Sequence, residues 1–100
     1  MQKNISYKIG KWGELREKVM RKNNPKIIIN MKKNNTLYPY LENYQNAIEQ
    51  RVELLLKKIR NERGINKELW RTDPFEFVIK DIEAQTDVKQ QLENEIKNSK

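Results

Sequence analysis

Leu37, Leu41, Tyr44, Ile48, Val52, Leu55 and Ile59 recur at spacings of 4, 3, 4, 4, 3 and 4. An α-helix turns once every 3.6 residues, so these side chains share one apolar stripe along a single long helix. Pro39 falls in its first turn, where proline is tolerated, and Gly64 stands where a left-handed residue would end it near Arg63. Tyr40, Ala47, Leu54 and Leu56 widen the stripe, which predicts a central helix contacted on more than one side. A chain of 100 residues that commits so much of its length to one amphipathic helix must cover that stripe with further elements.

The remaining punctuation predicts helices too. Gly10 and Gly13 bracket Trp12 at the start of a first helix, where Trp12, Leu15 and Val19, with Met20 beside them, keep helical spacing. Asn23-Asn24-Pro25 reads as a stop and a restart: Asn24 can cap, and Pro25 suits the first helical position because its missing N–H is an orphan there anyway. A short second helix is expected from Pro25 to about Lys33 with Ile27, Ile28 and Met31 inward, although three consecutive β-branched residues leave a strand open. Asn34-Asn35 reads as a loop and Thr36 as the cap of the long helix. Asn66 announces one helical turn around Leu69 and Trp70, and Asp73-Pro74 starts a last helix reaching about Asn98. Its apolar residues begin as Phe75, Val78, Ile79 and Ile82 and continue as Ala84, Val88, Leu92 and Ile96. The two halves point in different directions, which predicts a kink near Gln85-Thr86 or packing on one element and then another. The expected fold is all-α: a small helical bundle of two short N-terminal helices plus two long helices, one domain over residues 1–100, flexible over 1–8 and frayed over 97–100.

Charge is distributed unevenly along this frame. Residues 1–33 hold ten Lys/Arg and two acids, residues 34–71 hold seven and five, and residues 72–100 hold four and seven. A basic head and an acidic tail suggest that one end faces a polyanion. The chain has no Cys, hence no disulfide or thiol nucleophile, and no His, the usual general base near neutral pH and the commonest metal ligand. The longest apolar runs, Ile27–Ile29 and Leu54–Leu56, are far too short to span a bilayer, and the N-terminus lacks a signal-peptide stretch, so a cytoplasmic protein without membrane contact is expected.

Catalysis is not expected. Glu49 and Glu53 share a helix face, as metal-binding or acid–base carboxylates might be arranged, but Glu53 with Lys57 reads as a surface i,i+4 ion pair and Glu49 as solvated. No phosphate-cradling Gly-rich loop, nucleophile elbow or metal-ligand spacing occurs, and no cofactor is expected. Nucleic-acid binding is the leading expectation. Lys8, Lys11, Arg16, Lys18, Arg21, Lys22, Lys26, Lys32 and Lys33 crowd the first third, and phosphate contacts need only such charges on one surface. The plainer reading is a solvated basic face that keeps the protein soluble. Trp12 and Tyr44 lie on apolar stripes and are expected in the core, whereas Tyr38 lies off the stripe and is a candidate contact anchor. The apolar surface of the two long helices can also exceed what one chain covers, which adds to the expected partners a homodimer or, alternatively, a larger protein docked on that surplus.

The segments Ile9-Gly10-Lys11-Trp12-Gly13 with Leu15-Arg16, then Leu37, Leu41, Arg51, Glu53, Gly64, Glu76, Phe77 and the ending Asn94-Glu95-Ile96, resemble the TnpV family of small transposon-encoded bacterial proteins over residues 9–96. The resemblance implies residence on a mobile element and carries over no catalytic residue. It implies either an accessory protein at element DNA or, alternatively, a small inhibitor of a host defence nuclease, anti-CRISPR-like, that binds the nuclease or its guide-RNA complex.

Overall fold

The computed structural model describes residues 7–99. Five helices follow one another: α1 (Lys11–Asn23), α2 (Pro25–Lys33), α3 (Leu37–Glu62), α4 (Lys67–Thr72) and α5 (Pro74–Lys97). No strand occurs among the described residues, so the all-α class holds and the Ile27–Ile29 run is helical. The expected set of four helices becomes five because the turn around Leu69 and Trp70 closes into α4, where Asn66 Oδ1 accepts a hydrogen bond from the Leu69 N–H at 2.9 Å.

Two helix ends use the same stop. At the end of α3, the Ile65 N–H donates to the Arg60 carbonyl (2.8 Å) and the Gly64 N–H to the Asn61 carbonyl (3.4 Å), with Gly64 at φ +69°. This is the Schellman pattern. At the end of α2, the Thr36 N–H donates to the Met31 carbonyl (2.8 Å) and the Asn35 N–H to the Lys32 carbonyl (3.2 Å), with Asn35 at φ 58°. Asn35 therefore takes the position glycine usually fills, and the expected Asn34-Asn35 loop is a helix stop. Two expected caps are not made. Asn24 forms no side-chain cap on α2. The Thr36 hydroxyl donates back to the Met31 carbonyl (3.3 Å), so it closes α2 rather than opening α3. Asp73 does cap α5, its Oδ1 accepting from the Glu76 N–H at 3.1 Å.

The chain forms two compact units. One comprises the described residues up to Glu49 together with those from Glu93; the other comprises Gln50–Leu92. In the first, Met20, Ile28, Leu37 and Leu41 form a buried cluster flanked by Ile9, Met31 and Tyr40. Ile27 is exposed, contrary to expectation, because Ile28 and Met31 take the inward side of the short α2. The start of α1 meets α3 through a buried polar residue: Gln45 Oε1 accepts from the Gly13 N–H at 2.8 Å, and Gln45 Nε2 donates to Glu49 at 3.0 Å. A Cβ on Gly13 would lie 2.6 Å from Ile9 Cγ2 and 3.2 Å from the Leu41 carbonyl oxygen. The Gly-Lys-Trp-Gly motif is thus a close-approach joint between backbones.

In the second unit, Arg60 grips Asp81 with two hydrogen bonds (2.6 and 3.2 Å) and Arg63 pairs with Asp87 at 2.8 Å. Trp70 on α4 meets Phe77 on α5 edge-on, 5.4 Å between ring centres. Ile65, Ala84, Val88 and Leu92 are buried. Phe75, Val78, Ile79 and Ile82 are exposed, so the first half of the α5 stripe is not a buried packing face as expected, whereas the second half is buried. Leu54 is exposed rather than widening the covered stripe of α3, and Glu53 makes no ion pair with Lys57.

Candidate nucleic-acid interface

The basic residues of the first third fall into two groups. Lys18, Lys22, Lys26, Lys32 and Lys33 are exposed and form no ion pair among the described residues. Their positions follow from local structure. Lys18 and Lys22 are one turn apart on α1, Lys26 opens α2, and Lys32 and Lys33 close it. The Asn24 N–H donates to the Met20 carbonyl at 2.7 Å and Pro25 begins α2 at once, so the two helices are joined by one residue. The only acids of α1 are Glu14 and Glu17, and α2 has none.

The second group is engaged within the protein. Lys11 Nζ lies 2.6 Å from Glu93 and 5.0 Å from the Trp12 ring centre. Arg16 donates to the Tyr40 hydroxyl (3.0 Å) and the Ser99 hydroxyl (2.9 Å), and its guanidinium stands 5.5 Å from the Tyr44 ring centre. Arg16 therefore fastens α1 to α3 and to the end of the described chain, where Ser99 also accepts a hydrogen bond from Asn23. Arg21 pairs with Glu17 one turn before it. Lys8 is exposed, while its backbone N–H donates to Glu42 at 2.9 Å. Tyr38 is exposed as expected and stacks on Tyr7, ring centres 6.1 Å apart and 25° from parallel.

A shallow depression of about 360 Å³ lined by Lys11, Glu14, Leu15, Lys18, Glu93 and Lys97 lies in the same unit. Its mixed charges do not make it a phosphate cradle. Lys22, Lys26, Lys32 and Lys33, with Lys18 at this depression, are the exposed cations of α1 and α2 that form no ion pair among the described residues. A lysine offers a point charge without the fixed bidentate donors of an arginine. Sequence reasoning included every one of these lysines. It missed Gln45, the buried polar residue that positions α1, although its place between Leu41 and Ile48 on the apolar side of α3 is a legible signal.

Among the described residues, no helix is long and apolar enough to cross a membrane. The sequence model of a family described as transposon-encoded protein TnpV matches residues 1–96. No curated protein and no solved structure gives a match.

Proposed function

Because the chain belongs to the TnpV family of transposon-encoded proteins, we propose that it is a non-enzymatic accessory protein of a mobile element that binds nucleic acid through α1 and α2. One observation carries this reading: Lys18, Lys22, Lys26, Lys32 and Lys33 are exposed and form no ion pair among the described residues, while the other cations of α1 (Lys11, Arg16 and Arg21) are tied to Glu93, Tyr40 and Glu17. Surface lysines left without acids attract phosphates at long range and release condensed counterions on contact.

The test is titration of a fluorescently labelled DNA duplex, and of an RNA of the same sequence, with three proteins at low salt. The wild type should bind. Lys32→Glu with Lys33→Glu should bind at least tenfold more weakly. Lys57→Glu with Lys58→Glu, which removes as much charge from an exposed site on the other unit, should bind within threefold of the wild type. Equal loss from both pairs would mean that net charge alone attracts the ligand, and the assignment to α1 and α2 would fall.

A further inference from the structure

Tyr38 is 46% exposed, whereas Tyr7, Tyr40 and Tyr44 are half-buried. Its ring lies outside the buried cluster of Met20, Ile28, Leu37 and Leu41. It is nevertheless held in place. The Tyr7 ring stacks on it with centres 6.1 Å apart and planes 25° from parallel, a favourable aromatic arrangement. The Glu42 carboxylate, one turn further along α3, accepts the Lys8 N–H at 2.9 Å and so holds residue 8 against the start of that helix. A ring already braced by its neighbour loses little freedom when a ligand stacks on what remains open.

Charge says which ligand reaches that ring. No Asp or Glu occurs between Glu17 and Glu42, whereas the same stretch holds Lys18, Arg21, Lys22, Lys26, Lys32 and Lys33. Lys32 and Lys33 close α2, and the stop after them is tight: the Thr36 N–H donates to the Met31 carbonyl at 2.8 Å, and α3 begins at Leu37. Lys8, next to Tyr7 in the chain, is exposed as well. An open aromatic ring in an acid-free, lysine-rich stretch suits a nucleic-acid strand, because cations take the phosphates and the ring takes the π-face that every base carries. In a duplex those faces are stacked on one another, and only base edges reach the grooves. An unpaired base leaves its face free.

We infer that Tyr38, braced by Tyr7, is a stacking platform for an unpaired base, so the preferred ligand of α1 and α2 is a single strand. A duplex keeps the phosphates that lysines attract but gives the ring nothing to stack on, and it binds through charge alone. The inference rests on the nucleic-acid reading of α1 and α2.

Titration of a short oligothymidine, an oligouridine, an abasic strand of the same length and a DNA duplex tests it. Tyr38→Ala should weaken the base-bearing single strands about five- to 150-fold, the loss produced by removing one base–aromatic stack, and leave duplex affinity within about twofold. The oligomer that shows the loss identifies the strand as DNA or RNA. Tyr38→Phe keeps the ring and should bind like the wild type. The abasic strand carries phosphates without bases, so wild type and Tyr38→Ala should bind it alike. Position 38 is exposed, and unchanged duplex affinity shows that the variant is folded. Unchanged single-strand affinity in Tyr38→Ala, or an equal loss on the abasic strand or the duplex, would overturn the inference. If Lys32→Glu with Lys33→Glu still weakens duplex binding, the reading of α1 and α2 stands without it; if that pair has no effect, the reading itself falls.

Discussion

A methyl group on Gly13 would meet the Ile9 side chain at 2.6 Å and the Leu41 carbonyl at 3.2 Å. Ile9 can move, but the backbone carbonyl of a helix cannot easily do so. Gly13→Ala should therefore lower stability by about 1–3 kcal/mol in urea unfolding, the usual penalty of overpacking. Gln45→Ala at the same joint should cost a similar amount, about 1–3 kcal/mol, because the buried Gly13 N–H would lose its acceptor. Asp81 adds a pH-dependent contribution. The Arg60 guanidinium hydrogen-bonded to it holds its carboxyl below the ordinary value of 3.8, against an opposing push from burial. A carboxylate whose folded pKa is depressed stabilises the fold fully above its unfolded pKa, and that contribution is lost as pH falls through the folded one. Acid unfolding below about pH 4 should thus be shallower in Arg60→Gln than in the wild type. None of this could be read from residue types alone. Glycines beside Trp12 read as helix punctuation and Arg16 as one of the basic-surface cations until their neighbours are known, and Gln45 drew no reading at all.

Helix stops and starts were the most legible elements, because each rests on a few adjacent residues. Gly64, Pro25, Asn66 and Asp73 all do what their chemistry predicts. Gly64→Ala should destabilise by about 1 kcal/mol, since φ +69° crowds an alanine Cβ against the backbone and nothing nearby would gain a contact. Thermal unfolding measures it. Legibility ended where an element's partner had to be named. The stripe of α5 was readable as two apolar halves, but periodicity cannot say that the second half is buried within the chain while the first is left bare. In α2 the same limit appears within three residues: Ile27, Ile28 and Ile29 are alike in composition, and only Ile28 is buried.

At the scale of the molecule, the uneven charge seen along the sequence becomes a division between units, with residues 50–92 nearly neutral and the remainder carrying +6. Counting charges located the basic region, and the structure separated its exposed lysines, which form no ion pair among the described residues, from the cations that hold α1 in place. That separation makes a quantitative statement possible. A protein that neutralises Z phosphates on duplex DNA loses affinity with salt at a log–log slope of about −0.9Z. Five lysines on α1 and α2 thus set a slope of about −4 to −5 for the wild type, falling in magnitude by about 2 when Lys32 and Lys33 are replaced by neutral glutamine. The measurement is the duplex binding constant across a salt series for both proteins. Slopes of these sizes are what the account predicts. No binding at low salt, or a slope that Lys32→Gln with Lys33→Gln leaves unchanged, would contradict it.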